Sequence, residues 1–253
     1  MFECFFLHLA HYAVHTPIQA LETETAKYRR QGKNEQNARY AAMVQSVDDA
    51  TKRVMDTLDE LKIADRTLII FTSDNGGLDN GGRPTDNAPL RSGKGYAYEG
   101  GIRVPFIVRW PGVVKPASVS QQPVCSIDLF PTILAAIRTP LPTDRDIDGL
   151  SLVEHLKSAG SKPLDRDELF WHFPHYRHAP GPYSIIRKAN HKLIKFYDGP
   201  MELYDLENDL GEQHNLATTL PDRVNELDRI LMAALKKMGA KIPRDNPAFA
   251  RKR

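Results

Sequence analysis

The sequence is 253 residues long, 41% hydrophobic and 26% charged, with a formal net charge of +2. These proportions are ordinary for a globular chain of one large domain, or of one large and one small. The balance of charge argues against a nucleic-acid footprint, since basic residues cluster only in the tail Arg251-Lys252-Arg253, and no apolar run approaches the ~20 residues of a membrane helix.

The opening stretch MFECFFLHLA carries Glu3 where a secretory leader has basic residues, and it runs straight into Phe5–Ala10, which reads as a buried core strand. The chain is therefore expected to begin in the middle of a fold, and no cellular address can be read from it. Cys4 and Cys125 offer neither a disulfide framework nor metal-type spacing, and both read as buried thiols. From about Asn37 to Lys62, Tyr40, Val44, Val47, Val54, Leu58 and Leu61 recur at helical spacing, with Asp48-Asp49 and Asp59-Glu60 on a solvated face. Thr67–Thr72 is β-branched and apolar throughout, as a parallel strand covered on both faces would be. Residues 78–101 form a long Gly-, Asn- and Asp-rich loop of the kind that is usually functional.

Val104–Trp110 reads as a third strand, and Ser126–Arg138 as a helix with Pro131 in its first turns. This alternation predicts an α/β layered sheet. Beyond the proline-rich stretch 139–146 the pattern changes. Tyr183–Arg187, Lys192–Tyr197 and Met201–Leu206 read as short antiparallel strands, and about 221–238 as an amphipathic helix carrying Val224, Leu227, Leu231, Ala234 and Met238. The expected division is a catalytic α/β part over 1–145 and a small α+β subdomain over 146–253.

Three features would gather at the carboxyl ends of such strands. Asp74 and Asn75, in TSDNGG, offer a carboxylate and a carbonyl oxygen, which suit Ca²⁺ or Mg²⁺ rather than zinc. Alone, Asp-Asn-Gly-Gly is as well explained by a turn, and two donors do not fill a coordination sphere. Gly76-Gly77 are expected to let the backbone turn sharply beneath an ion. Lys94, between two glycines, can present a compact charge to an anion, although the spacing is not that of a phosphate-binding P-loop and a mobile surface lysine would look the same. His15, in Val14-His15-Thr16-Pro17, can donate to an anion or act as a general acid, or can be a structural hydrogen-bonder.

The order of these motifs resembles that of the sulfatase family, within the alkaline-phosphatase-like superfamily. The likeness covers essentially the whole chain and is sharpest over FTSDNGG (71–77) and LRSGKGYAYEGGIRVPFIVRWPG (90–112). Supporting matches are HYAVHTP (11–17), IDLFPTIL (127–134), DGLSL (148–152) and ELYDLENDLGEQHNLA (202–217). The resemblance implies hydrolysis of sulfate esters on a small molecule or carbohydrate, with no nucleic-acid partner. It further implies that Asp74 and Asn75 ligate a single Ca²⁺ or Mg²⁺, that Lys94 binds the sulfate, and that His15 contacts the sulfate and helps protonate the leaving alcohol. Arg91, Glu99, Gly100, Gly101 and Arg103 are expected to hold the loop in shape.

The sequence also departs from the family. The C/S-x-P-S-R-type motif whose Cys or Ser becomes formylglycine does not occur, and neither does the upstream acidic pair that completes the metal site. Cys4 and Cys125 have the wrong neighbours, and Ser161-Lys162-Pro163-Leu164-Asp165 lacks the arginine. The chain thus reads as the C-terminal portion of a sulfatase, expected to be inactive alone and to leave apolar strand edges uncovered. In Trp171–His178, His172 or His175 could touch the sugar or aryl part of a substrate, or the stretch could be an aromatic loop packed on the subdomain; a zinc cluster is the weaker reading. Two further functions fit the same residues: a phosphoesterase of the superfamily, which would hold two transition metals with Asp-His pairs, and a non-catalytic binder of sulfated ligands.

Overall fold

The computed structural model describes residues 5–79, 84–176 and 181–244. Cys4, Arg177, His178 and the basic tail lie outside the described residues. The chain divides into two compact units. One comprises Met1–Ile69, Leu78–Asp86 and Arg109–Gly112, and the other Ile70–Gly77, Asn87–Val108 and Val113–Arg253.

The first unit is a helix pair. Helix α1 (Glu22–Arg29) packs against the long helix α2 (Glu35–Glu60). Asn34 starts α2 by accepting the Asn37 backbone N–H on its side chain at 2.9 Å. The buried positions of α2 are Ala38, Ala42, Met43 and Leu58. The expected stripe is therefore rotated in its first half, and Val44 and Leu61 stand exposed. Small side chains at Ala38 and Ala42 let α1 approach, and Tyr28 donates to Gln45 across the pair at 3.0 Å. Asp48, Asp49, Asp59 and Glu60 are solvated, as expected. The expected core strand at Phe5–Ala10 is not formed. These residues are exposed and irregular, with Phe6 74% accessible, because no neighbouring strand among the described residues takes up their backbone groups.

In the second unit, β1 (Ile69–Thr72) reaches in from Ile70 and is followed by the short helix α3 (Glu99–Ile102) and by β2 (Phe106–Arg109). β1 and β2 form a two-stranded sheet. The expectation that β1 is covered on both faces is corrected: Phe71 and Thr72 are exposed, as is Ile107 on β2, because a two-stranded sheet has no third strand to flank it.

A 3₁₀ turn (Ser126–Asp128) leads into α4 (Leu129–Ala136), and α5 (Val153–Lys157) follows. Asp128 ties this region together. Its fully buried carboxylate accepts two bonds from Arg166, at 2.7 and 2.8 Å, and one each from the Cys125 and Leu150 backbone N–H groups. Thr132 donates to the Asp128 carbonyl and accepts from the Leu152 N–H. The IDLFPTIL and DGLSL stretches are thus one packed unit, and Cys125 at its margin is half-buried rather than buried.

Burial pushes the Asp128 carboxyl up, but Arg166 and the two backbone donors outweigh it and hold the group below its ordinary 3.8. A depressed folded pKa contributes stability that is present above the unfolded value and lost as pH falls through the folded one. Asp128→Asn should therefore cost about 3–5 kcal/mol at pH 7, as broken buried ion pairs do. In urea titrations the difference from the parent should shrink as pH falls below 3.8. A pH-independent difference would refute the assignment.

Strands β3 (Glu168–Phe173), β4 (Tyr183–Lys188), β5 (His191–Phe196) and β6 (Glu202–Asp205) form an antiparallel sheet in that order. Side-chain alternation separates its two faces. Ile186, Leu193 and Leu203 meet Val224, Leu227, Leu231 and Leu235 of α6 (Pro221–Lys237). Tyr183, Ile185, Ile194, Phe196 and Tyr204 meet Ala97 and Tyr98 from the glycine-rich loop. Glu168–Phe173, expected as part of a loop from Trp171 onward, is a strand because Trp171 and Phe173 serve one face while Phe170 serves the other.

Candidate active site

The segment after β1 is held largely by backbone contacts. Gly76 N–H donates to the Gly101 carbonyl, and Lys94 N–H to the Gly77 carbonyl, both at 3.0 Å. Gly100 N–H donates to the Arg91 carbonyl at 2.9 Å. Three stretches, 75–77, 91–96 and 99–101, therefore lie backbone against backbone. A Cβ on Gly76 would stand 1.7 Å from the Gly100 oxygen, one on Gly100 2.1 Å from the Ser92 oxygen, and one on Gly101 2.3 Å from the Tyr96 oxygen. Gly76 and Gly77 do not have positive φ, so close approach, rather than a sharp turn, is what requires glycine at position 76. Left-handed backbone occurs instead at Ser92 and Gly95, on either side of Lys94.

Asn87 completes this arrangement. Its side-chain amide donates to the carbonyls of Gly77 at 3.0 Å and Ser92 at 2.9 Å. Sequence reasoning does not single out Asn87. The one available signal is an amide in a glycine-rich loop, which turn formation explains equally well.

The backbone segments that carry two of the three expected features thus meet: the Gly77 carbonyl, just after Asp74-Asn75, receives the Lys94 N–H and shares Asn87 with Ser92. Asp74 is exposed, and Asn75 and Lys94 are half-buried. Among the described residues, none of these three side chains has a hydrogen-bond or ionic partner.

The loop's other side rests on the four-stranded sheet. The Arg91 guanidinium lies 3.7 Å from the Tyr98 ring centre and donates to Tyr204 Oη at 2.9 Å and to the Glu212 carbonyl at 2.8 Å. Lys192, 0% exposed near the start of β5, donates to Glu99 at 3.0 Å and Glu212 at 2.8 Å. The second Glu212 oxygen accepts the Glu99 backbone N–H at 2.7 Å. Burial pushes the Glu212 carboxyl up, against the pull of Lys192. These contacts give Arg91, Glu99, Gly100 and Gly101 the loop-holding role expected of them, and Arg103 Nη1 stands 3.9 Å from Glu99.

His15 belongs to the first unit. Its Nδ1 lies 2.7 Å from the Thr16 carbonyl. A carbonyl only accepts, so Nδ1 carries the hydrogen, and Nε2 is left as the exchangeable position. His172 points to the α6 face of the sheet, the face opposite the glycine-rich loop. Its ring nitrogens are engaged by Ser184 Oγ at 2.8 Å and the Lys241 carbonyl at 3.0 Å. His175 is exposed, its ring edge-on to Phe173.

Residues 3–139 match the family model described as Sulfatase, and residues 92–241 that described as N-sulphoglucosamine sulphohydrolase, C-terminal. The chain belongs to the sulfatase family. A sulfatase of Formosa agariphila is 38% identical over 240 residues, covering 87% of this chain and 43% of the relative. An N-acetylgalactosamine-6-O-sulfatase of Bacteroides thetaiotaomicron is 32% identical, covering 90% of this chain and 47% of the relative. The solved structure of Ps i-CgsB in complex with k-i-k-neocarrahexaose superposes with a TM-score of 0.78 at 29% identity, over 88% of this chain and 48% of that one. The sulfatase-family chain therefore spans about half the length of these relatives. Its mixed α/β architecture is that of the alkaline-phosphatase-like fold.

The family in general uses a metal ion and formylglycine. The two are matched differently by the residues present. Asp74 and Asn75 present unsatisfied oxygen donors on adjacent residues, which fits a share of a hard divalent cation's coordination. Among the described residues no group of three His, Cys, Asp or Glu adds a further cluster. Formylglycine has no fitting precursor, since neither Cys4 nor Cys125 stands in the required motif.

Proposed function

We propose that this chain carries the sulfate-binding half of a sulfate-ester hydrolase acting on a sulfated carbohydrate. The observation that supports it is the hydrogen bond from Lys94 N–H to Gly77 O, which brings the Lys94 backbone against the segment that follows Asp74 and Asn75. Hydrolysis of R–O–SO₃⁻ spreads charge over the sulfuryl oxygens and builds it on the leaving oxygen, so a cationic cradle and a proton donor are the two groups the reaction needs. Lys94 would bind and orient the sulfuryl oxygens. Asp74 and Asn75 would hold Ca²⁺ or Mg²⁺, which when bound supplies further neutralisation of that charge. His15, with Nδ1 committed to Thr16, would deliver its proton from Nε2 in the imidazolium form.

A carbohydrate substrate is favoured by the named relatives, an N-acetylgalactosamine-6-O-sulfatase and a protein solved with a neocarrahexaose. On this chain the exposed ring of His175 is the candidate to touch the sugar. The phosphoesterase reading would need clustered Asp and His for two transition metals. Among the described residues that clustering is absent.

The test titrates inorganic sulfate against the chain in the presence of Ca²⁺, following thermal unfolding. Sulfate should stabilise the parent, and Lys94→Ala should weaken its apparent affinity at least about tenfold, or 1.4 kcal/mol. Undiminished stabilisation in Lys94→Ala would overturn the assignment. His15→Ala should leave sulfate affinity within about twofold, yet slow aryl-sulfate turnover in the active protein by about 10²–10⁴-fold, the usual share of a positioned acid.

A further inference from the structure

The buried Lys192–Glu99–Glu212 cluster lies within the fold rather than at the proposed ligand-binding face, yet it touches the loop that carries Lys94. Several features show that its contact is mechanical rather than incidental. Glu212 comes from an irregular stretch after β6, and its backbone is in the left-handed region at φ 51°. Its carboxylate divides between two partners, Lys192 on β5 and the Glu99 backbone N–H at the start of α3. Its own carbonyl takes the Arg91 guanidinium. Glu212 therefore holds both ends of the stretch 91–99, with Lys94 between them.

From Glu99 the restraint passes on through backbone groups. Gly100 N–H is tied to Arg91 O, Gly101 O receives Gly76 N–H, and Gly77 O receives Lys94 N–H. The Gly76, Gly100 and Gly101 contacts are packed backbone against backbone, and Asn87 ties the Gly77 and Ser92 carbonyls to each other, so a shift at Glu99 is passed on to the segment that carries Lys94. The opposite face of the same sheet offers a contrast. There Lys195 pairs with Asp228 of α6 at 2.7 Å and makes no contact with the loop.

We propose that Glu212 and Lys192 are positioning residues for the anion site, acting through the Glu99 backbone to fix where Lys94 and Asp74-Asn75 stand. The inference rests on the sulfate reading of Lys94 for its consequence, but not for its mechanics. Glu212→Gln is the chosen variant. An amide has one acceptor oxygen where the carboxylate uses two, so either the Lys192 or the Glu99 contact must be given up at nearly unchanged volume. Lys195→Ala is the control, which weakens the sheet from the far side.

Amide hydrogen exchange on the 253-residue chain reads the mechanics directly. In Glu212→Gln the amides of Gly76, Lys94, Glu99 and Gly100 should exchange at least about tenfold faster, while those of Ile185 and Ile194 in the sheet keep their protection. Lys195→Ala should leave the ratio of loop to sheet protection as in the parent. Loop amides that stay unchanged in Glu212→Gln, or that move only in parallel with the sheet, would refute the proposal. Should Glu212→Gln fail to fold, Arg91→Met makes the same comparison from the other end of the stretch, since Nη1 donates to both Tyr204 and the Glu212 carbonyl and both contacts are lost together.

Inorganic sulfate supplies the second arm. Its apparent affinity should fall at least about fivefold in Glu212→Gln and stay within about twofold in Lys195→Ala, a split that a merely structural role would not produce. An equal loss in both variants refutes positioning. A parent chain that binds no sulfate at all would instead refute the anion reading of Lys94, with the exchange pattern still deciding whether Glu212 sets the loop.

Discussion

Lys192→Met should destabilise the second unit by about 3–5 kcal/mol at neutral pH, the range for removing one partner of a buried ion pair. The side chain is 0% exposed and is the cation between two carboxylates, Glu99 and Glu212, themselves 3% and 0% exposed. Methionine fills the space but leaves two acidic groups facing each other, with the exposed Arg103, 3.9 Å from Glu99, as a weak offset. They can answer only by taking up a proton, and this fixes the sign of the pH dependence. Burial already raises the Glu212 carboxyl above its ordinary 4.5. A raised carboxyl stabilises most below its unfolded value and loses that contribution as pH rises through the folded one. Without Lys192 the rise is larger, so the deficit of the variant should grow from pH 5 to pH 8. Urea denaturation of parent and variant at the two pH values measures it. A deficit below about 1 kcal/mol at both, the range of exposed surface pairs, would mean that the cluster is not a buried ionic one.

Gly76→Ala should abolish the anion site while leaving the four-stranded sheet and α6 intact. The added methyl would begin 1.7 Å from the Gly100 oxygen and 2.7 Å from its carbon, and both are backbone atoms that no rotamer change can move. The 75–77 and 99–101 stretches must separate, which costs the bonds Gly76–Gly101 and Lys94–Gly77 together. Sulfate affinity should fall by more than about tenfold, well beyond what loss of helix or strand propensity would produce. Gly112→Ala separates packing from backbone strain. That glycine sits at φ +75° with nothing within 4 Å of where a methyl would stand, so its replacement should cost about 1–2 kcal/mol of strain and no sulfate affinity. Equal effects on sulfate binding from the two substitutions would count against a packing role for Gly76.

The readability of this chain differs between its parts for physical reasons. Helix α6 and strands β4 to β6 were foreseeable within one or two residues from their periodicity, although the buried stripe of α6 ends on Leu235 rather than on the expected Ala234 and Met238, and Met238 is exposed. β3 was not, because aromatic side chains serve both of its faces and the alternation of polar and apolar residues is lost. Phe5–Ala10 has the composition of a core strand but no strand beside it among the described residues, and composition carries no information about a partner. The stripe on α2 went astray because the closest packing uses alanines, which a search for large apolar residues passes over.

Asp74, Asn75, Lys94 and His15 were picked out as candidates by the order of their motifs, since each alone is equally explained by a turn, a surface lysine or a structural histidine. Oxygen donors, a glycine-flanked ammonium and an imidazole are intrinsic to the side chains, and their order along the chain is visible without coordinates. Folding decided the supports. Glu212 and Glu99 are 113 residues apart, and either would pass for a solvated surface acid until burial at Lys192 makes each depend on the other. Asn87 and Gly76 likewise take their roles from carbonyls that other segments bring within reach. Such roles depend on distance in space, and spacing along a chain does not encode that distance until the chain has folded.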